Sequence, residues 1–351
     1  MFYNYPIFFE QNRVFRVYKG GKLFSDFFSD DSEDGNYPEE WVVSNVHALN
    51  EGSTDEYEGI SKIKGEELYL NDALEKYKKE IIGEHDDLGV LTKILDSAIR
   101  LPVQAHPDKA FSRKYFNSSY GKEESWYILA TRPGGRVFYG FKDGVTMEQF
   151  KKAINESENS KTVMEDLLNS FEVKPGDVIY IPAKMVHAIG AGCLLLEVQE
   201  PSDFTVQPER WCGDYKLSDN EMYLGLDNDT AMECFDIAKK YPAPLEPVVI
   251  SDKDGVKYLS FIDERMTTSF TVRKIELSGG EFSLDNGARI YVVTEGDGKI
   301  TGDGYEKAIK KGDYFLMPVA AEGRFKLSGN AGIVECYTAG RRRSPLKSVG
   351  V

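Results

Sequence analysis

Two of the four histidines lie in patterns that could bind a metal ion. His106 follows Gln104 by two positions, and the period of a β-strand puts both side chains on one face. Further along the chain, Glu124 adds a carboxylate and His187 a second imidazole. Two donors on one strand, a carboxylate on a second strand and an imidazole on a third can converge inside a β-barrel. The candidate metal ligands are therefore Gln104, His106, Glu124 and His187.

Nitrogen and oxygen donors of this kind suit Zn²⁺, with Mn²⁺, Fe²⁺ or Co²⁺ as alternatives. Catalytic sites of this type keep one coordination position for water or substrate. The four cysteines are scattered and form no CxxC pair, which argues against a thiolate zinc site. The same spacing favours reduced thiols in the cytoplasm over a disulfide framework.

The elements that must position these ligands form an internal repeat. Segments 176–182 and 312–318 share a Gly-Asp turn, four strand residues and a proline. Five positions beyond each proline stand His187 and Gly323. This order resembles the second conserved motif of cupin barrels, with Lys184 where a glycine is usual. The chain thus resembles a bicupin whose second barrel has lost its metal ligand.

The predicted fold is mainly β, with two cupin (jelly-roll) barrels. Residues 1–242 are expected to form the catalytic metal-binding domain and residues 248–340 a C-terminal cupin domain without metal ligands, joined by a proline-rich connector. Aligning 124–129 with 288–293 leaves surplus residues in the first half, and these correspond to a helical insertion at about 146–171. Helices are further predicted at 71–82 and 229–240, short strands with long turns across 1–64, and strands at 178–181, 194–198, 270–275, 290–294 and 314–317.

Three segments in fixed order resemble the zinc-dependent type I phosphomannose isomerases. They are LTKILDSAIRLPVQAHPD, GKEESWYIL and PGDVIYIPAKMVHAIGAGCLLLEVQEPSDFT. PEEWVVSNVHAL resembles the family's early segment that contains a tryptophan, and the resemblance extends over nearly the whole chain. It implies zinc-dependent aldose–ketose isomerisation of mannose 6-phosphate and fructose 6-phosphate, with one zinc ion held by the four candidate ligands in the first barrel.

The resemblance also implies roles for three further side chains. Lys93 and Lys122 would face the substrate, and Glu197 stands at a position considered for proton transfer. Lys122 could equally be a solvated turn residue, and Glu197, flanked by apolar residues, a buried structural carboxylate. Because an unpaired carboxylate is expensive to bury, Glu197 is expected to have a metal, a cationic partner or a function.

Two positions depart from the family pattern. Pro102 replaces a serine associated with substrate phosphate, and Gln207 replaces an arginine regarded as catalytic. A neutral amide donates hydrogen bonds but lacks the fixed bidentate charge of a guanidinium. Arg210 is the candidate to compensate. We therefore assign Glu197, Lys122 and Arg210 to catalysis, and Lys93, Lys122 and Gln207 to substrate binding.

These departures leave two other functions open. The chain could be a metal-binding cupin isomerase for another, unphosphorylated sugar, or a sugar-sensing homologue without turnover. Higher activity on free aldoses than on their 6-phosphates would support the first function. Binding of sugar phosphates without product formation would support the second.

Charge and composition disfavour two classes of partner, and the family resemblance implies a small sugar phosphate as the ligand. With 43 basic and 58 acidic residues the net charge is −15, which repels phosphate backbones and anionic lipid, so neither nucleic acid nor membrane is an expected partner. The one basic cluster, Arg341 to Arg343, is interpreted as a solvated tail. The first residues lack a cationic start followed by a sustained apolar segment, which favours a cytoplasmic protein without a secretion signal.

Overall fold

The computed structural model describes residues 1–339, and Arg341 to Arg343 lie outside this range. Strands β1 to β10 are Ile7–Phe8, Arg13–Val14, Glu39–Val42, Leu91–Ser97, Glu124–Thr131, Arg136–Phe141, Leu168–Glu172, Val178–Ile181, His187–Ile189 and Cys193–Gln199. Strands β11 to β20 are Trp211–Cys212, Tyr215–Lys216, Val248–Lys253, Val256–Ile262, Phe270–Leu277, Glu281–Ser283, Arg289–Gly302, Tyr305–Lys310, Tyr314–Met317 and Lys326–Thr338. Helices α1 to α6 are Lys22–Phe24, Leu70–Ile81, Lys109–Tyr115, Met147–Glu156, Asp219–Tyr223 and Asn228–Met232. The chain is mainly β, as predicted.

The first barrel is built from a six-stranded sheet and a three-stranded sheet. Their strand orders are β2-β3-β4-β10-β5-β8 and β7-β6-β9. Strand β10 lies between β4 and β5 and pairs antiparallel with both. All seven residues of β10 are buried, as its run of leucines predicts, so the Glu197 carboxylate is held inside the barrel.

The second barrel is a nine-stranded antiparallel sheet that also recruits the start of the chain. Strand β1 pairs with β19, with Ile7 opposite Leu316. One apolar cluster joins the two barrels, since Ile94 and Val198 of the first belong to the same core as Val334 of the second. The residues predicted as the first domain therefore contribute an edge strand to the second sheet.

The two copies of the repeat fold alike around their Gly-Asp turns. The Asp177 carboxylate accepts a hydrogen bond from the backbone amide three residues earlier at 2.9 Å, and the Asp313 carboxylate does the same at 2.8 Å. The preceding glycines, Gly176 and Gly312, have φ of +92° and +94°, a conformation that favours glycine. The predicted repeat is thus present in three dimensions.

Main-chain hydrogen bonds correct the register of that repeat by one residue. The amides of the two turn glycines donate to the carbonyls of Ile128 and Val293, both at 2.9 Å, so these two residues are equivalent. Counting back four places on each strand, Arg289 and not Ala288 stands where the first barrel has Glu124. The predicted alignment of 124 with 288 was wrong because the long insertion hides the register. A guanidinium offers no lone pair to a metal.

Of the three predicted helices, one matches a helix of the structure over nearly its whole length. Helix α2 matches the predicted helix at 71–82. The predicted helix at 146–171 is α4, a single 3₁₀ turn at Glu165–Leu167, and then β7, because pairing with β6 overrides the helical pattern. The helix predicted at 229–240 ends at Met232, since the backbone amide of Asp236 bonds to Lys184 O.

Within 1–64 the predicted short strands are present, together with a helical segment that the sequence analysis missed. Helix α1 and a π-helical turn at Ser25–Ser29 bury Phe24 and Phe27, which are three positions apart and so share one face. Across residues 1–339, every helix falls short of the length and apolarity that a membrane crossing needs.

Candidate metal centre and its cleft

Two buried imidazoles meet where β9 begins. Residues Gln104 and His187 form a β-bridge, with backbone hydrogen bonds of 2.9 Å in both directions, which brings the segment of His106 against β9. The Nε2 atoms of His106 and His187 are 3.1 Å apart. Each Nδ1 contacts a backbone carbonyl, that of Phe204 at 3.0 Å and that of Met185 at 2.8 Å. Because a carbonyl only accepts, each Nδ1 carries the proton and each Nε2 presents a lone pair.

Glu124, the first residue of β5, completes the cluster. Its carboxylate oxygens lie 3.1 Å from His106 Nε2 and 3.3 Å from His187 Nε2. Burial lowers the pKa of both imidazoles, that of His187 to about 3. Burial alone would raise the pKa of Glu124, but the charge of Lys122 holds it well below its usual range. Neutral imidazoles and an ionised carboxylate are the forms that bind a metal.

This donor set fits a divalent metal ion. The ligand atoms of His106, Glu124 and His187 all lie within 4.8 Å of one another, and all three residues are buried. Two imidazole lone pairs that face each other at 3.1 Å repel unless a cation or a proton lies between them. The fourth predicted ligand, Gln104, lines the adjacent cleft and pairs through its backbone with His187. The structure therefore brings three predicted ligands together and places the fourth beside them.

Lys122 lies within the metal centre itself and is not a solvated turn residue. Its Nζ is 2.9 Å from His106 Nε2 and 3.0 Å from Glu124 Oε2. The residue is only 5% exposed, yet it also lines the cleft. The ammonium is thus placed between the ligands and the cavity.

A cavity of about 580 Å³ opens beside the metal centre. This volume is in the range of small-molecule sites. Among the described residues that line it, the cations are Arg16, Lys93 and Lys122. The carboxylates that line it are Glu39, Glu51, Glu124, Glu197, Asp203 and Glu221. The lining therefore has an excess of carboxylates over cations, which a bound divalent ion would reduce.

Glu197 lies in this cleft with its carboxylate anchored at both oxygens. Trp126 Nε1 donates to Oε2 at 3.2 Å, and Lys93 Nζ lies 3.5 Å from Oε1. Burial, and then the charge of Glu124, raise the pKa of Glu197 to about 7. A carboxyl group with such a pKa can take up and release a proton near neutral pH. The expected cationic partner of Glu197 is Lys93.

Lys93 is enclosed by carboxylates and does not project freely into the cavity. Besides Glu197, its Nζ lies 3.6 Å from Asp203 Oδ1 and 3.7 Å from Glu39 Oε2, and the side chain is 4% exposed. Arg16 bridges the same two carboxylates, at 3.0 Å to Asp203 and 3.2 Å to Glu39. Burial alone would raise the pKa of Glu39, but Arg16 and Lys93 lower it to about 2.

The sequence analysis missed Arg16, Glu39 and Asp203 as parts of this charge network. Asp203 lies at the end of the third family-like segment and Glu39 at the start of the tryptophan-containing one. A usable signal was the alternation in β3, which puts Glu39 and Trp41 on one face of a buried strand. No pattern in the sequence singles out Arg16, because its partners are distant along the chain.

The two departures from the family pattern have different surroundings. Pro102 and Gln207 both line the cleft, and Gln207 Nε2 donates to the carbonyl of Glu221 at 3.0 Å. Arg210 does not line it: its guanidinium pairs with Glu158 at 2.9 Å and with Asp219 at 2.8 Å. The expectation that Arg210 compensates for Gln207 therefore gains no support, because its side chain pairs with other partners outside the cleft.

Comparisons with known proteins agree over both barrels. Residues 23–128 match the family described as phosphomannose isomerase type I, catalytic domain, and residues 264–338 match mannose-6-phosphate isomerase, cupin domain. Among curated proteins, the chain is 32% identical over 263 residues to mannose-6-phosphate isomerase ManA of Bacillus subtilis (73% of this chain, 76% of the relative). It is 27% identical over 320 residues to mannose-6-phosphate isomerase of Streptococcus mutans (89% and 92%).

Solved structures share the fold along almost the whole chain. The mannose 6-phosphate isomerase from Bacillus subtilis superposes with a TM-score of 0.77 at 24% identity, covering 94% of this chain and 99% of that one. The apo form of mannose 6-phosphate isomerase from Salmonella typhimurium has a TM-score of 0.70 at 16% identity, covering 95% and 99%. At these identities the structures support the two-barrel fold alone.

Proposed function

The chain belongs to the type I phosphomannose isomerase family, and we propose that His106, Glu124 and His187, completed by Gln104, hold one zinc ion at its active site. As a family member it is an aldose–ketose isomerase that interconverts mannose 6-phosphate and fructose 6-phosphate. The observation that carries the metal assignment is the pair of Nε2 lone pairs directed at each other beside an ionised carboxylate. When bound, such an ion polarises the sugar carbonyl.

Glu197 is the group that would move the proton between the two sugar carbons. Isomerisation removes a proton from the carbon next to the carbonyl and returns one to the former carbonyl carbon, so one base can serve both steps. Support comes from the position of Glu197 on the cleft wall and from its pKa of about 7. Trp126 and Lys93 fix the orientation of the carboxylate.

The substrate-binding role is assigned to Lys122 and Gln207. Lys122 supplies an ammonium at the border between ligands and cavity, and the anchored amide of Gln207 lines the cavity. Lys93 acts as a positioning residue for Glu197, because three carboxylates already share its charge. Arg210 has no part in this proposal.

A reducing cytoplasmic location is the proposed setting. The four cysteines, Cys193, Cys212, Cys234 and Cys336, are all buried and unpaired, which supports it.

Metal analysis of the purified protein tests this assignment. Wild type is expected to bind about one equivalent of zinc, and His187→Gln to lose it, because the cluster would lose one of its two imidazoles. His47→Gln is the matched control, since His47 is an exposed imidazole that does not line the cleft. Full zinc occupancy in His187→Gln, or none in wild type, would contradict the assignment.

A further inference from the structure

The ammonium of Lys122 occupies the space that a metal ion on the same ligands would need. Its Nζ lies 2.9 Å from His106 Nε2, and that nitrogen has only one lone pair. If the lone pair accepts a hydrogen bond from Lys122, it cannot also coordinate a metal. The same Nζ is 3.0 Å from Glu124 Oε2, so two of the three clustered ligands are involved.

Charge makes the two occupants exclusive as well. A divalent ion bound to His106 and Glu124 would lie within a few ångströms of the ammonium, and two cations that close repel strongly inside a buried site. The alternative place for the ammonium is the cavity, which Lys122 already lines.

We propose that Lys122 competes with the metal ion for its ligands. Without the ion, the ammonium contacts His106 and Glu124; when the ion binds, it displaces the ammonium into the cleft. There the ammonium is the cation that contacts the substrate. This inference rests on the metal assignment proposed above. The competition keeps Glu124 paired in both conditions, since a buried carboxylate always faces a cation.

The displaced ammonium of Lys122 would give the cleft a cation that can bind an anionic substrate. Arg16 and Lys93 line the cavity but are committed to Glu39, Asp203 and Glu197. Among the described residues of the lining, Lys122 is then the one cation that metal binding frees from its carboxylate partner. The anionic class of ligand that it would take is a sugar phosphate or the oxyanion that develops during isomerisation. Metal loading should therefore precede tight binding of the sugar phosphate.

Zinc affinity of matched lysine variants provides the first test. Lys122→Met should bind zinc roughly ten- to a hundred-fold more tightly than wild type in competition with a chromophoric chelator, because a charge-assisted hydrogen bond no longer competes. Lys109→Met is the control: Lys109 pairs with the buried Glu200 at 3.2 Å and contacts no proposed ligand. Equal or weaker zinc binding by Lys122→Met would overturn the proposal.

Amine labelling of wild-type protein separates displacement from simple charge repulsion and does not depend on a variant that folds. The fraction of Lys122 acetylated in a short pulse, read by mass spectrometry, should rise several-fold on zinc loading, while Lys93 stays protected. Unchanged labelling of Lys122 would overturn the inference even if Lys122→Met binds zinc more tightly. If wild type takes up no zinc, the metal assignment itself fails, which is a different result from zinc binding without a change at Lys122.

Discussion

Glu197 is the residue whose environment makes the most specific kinetic prediction. Glu197→Gln should lower kcat by about 10²- to 10⁴-fold, because the amide cannot accept the proton from the sugar carbon. In wild type the base must be ionised, so kcat should fall as the pH drops through its pKa. That limb should lie at or below about pH 7, since a bound cation offsets the charge of Glu124 that helps to raise the pKa of Glu197.

The chain offers its own matched control for this substitution. Glu335 stands on β20 opposite Tyr291 as Glu197 stands on β10 opposite Trp126, so Glu335→Gln makes the same chemical change in the second barrel. It should leave kcat and its pH profile unaltered where the protein is folded. A wild-type acid limb that persists in Glu197→Gln, with kcat near normal, would remove Glu197 from the mechanism.

Gln207 is proposed to contact the substrate in the cleft, which it lines. Gln207→Arg would bring a guanidinium to an acidic cavity whose other guanidinium, Arg16, is already paired. The KM for mannose 6-phosphate should fall by about three- to ten-fold, while the KM for free mannose changes little. Arg210→Met should affect neither value, because Arg210 pairs with Glu158 and Asp219. Equal effects on both sugars would show that residue 207 does not face the phosphate.

At the residue scale the sequence predicted the ligands better than their surroundings. The sequence was sufficient to predict His106, Glu124 and His187, because strand periodicity and the repeat constrain where each side chain must point. The network of Arg16, Glu39 and Asp203 was not, because its members come from segments that no local pattern connects. The prediction for Arg210 gained no support, because proximity along the chain to Gln207 says nothing about the direction taken by the intervening backbone.

At the scale of elements, strand register shows which residues of the second barrel stand at the positions of the candidate metal centre. Lys93 lies opposite Glu197 in the first barrel, and Arg273 lies opposite Glu335 in the second. Arg289, at the place of Glu124, pairs with Glu335 at 2.6 Å. An ion pair thus spans the positions that hold a candidate ligand, Glu124, and the proposed base, Glu197, in the first barrel. Only the strand pairing revealed this, since the sequence alignment was displaced by one residue.

Loss of that ion pair should destabilise both barrels together. Glu335 is fully buried and accepts hydrogen bonds from Arg289 and from Tyr291 at 2.8 Å. Glu335→Gln should lower the free energy of unfolding by about 2–3 kcal/mol, because a largely buried guanidinium loses its counter-charge. Since all three tryptophans lie in residues 1–242, their fluorescence reports on the first barrel.

Denaturant unfolding followed by that fluorescence should show the lower midpoint, because one apolar core joins the barrels. Lys299→Met is a suitable control, since Lys299 forms an exposed ion pair with Glu306 elsewhere in the same sheet. An unchanged tryptophan transition in Glu335→Gln would mean that the barrels unfold independently.

Strands were predicted more reliably than helices for a physical reason. Strands such as β8 and β19 are short apolar runs bounded by turn residues, and both of their faces are buried. Such a pattern is typical of a buried strand. The segment that became β7 has apolar residues at helical spacing, and only its pairing with β6 decides its structure. The secondary structure of this segment is therefore determined by contacts between distant segments and not by its local pattern.

The whole molecule combines features that the sequence analysis treated separately. A two-barrel fold and the distribution of ligands followed from the repeat, but the shared core and the pairing of β1 with β19 did not. Both features depend on how the two barrels pack against each other. That packing is determined by many apolar residues with no distinguishing spacing in the sequence.

The most direct test of the account is a coupled assay of isomerisation on the whole zinc-loaded enzyme. Mannose 6-phosphate should be converted to fructose 6-phosphate, chelator treatment should abolish the conversion, and added zinc should restore it. Free mannose should be turned over with a much lower kcat/KM. Full turnover in protein shown by metal analysis to hold no metal, or no turnover of mannose 6-phosphate by protein carrying one equivalent of zinc, would contradict the account.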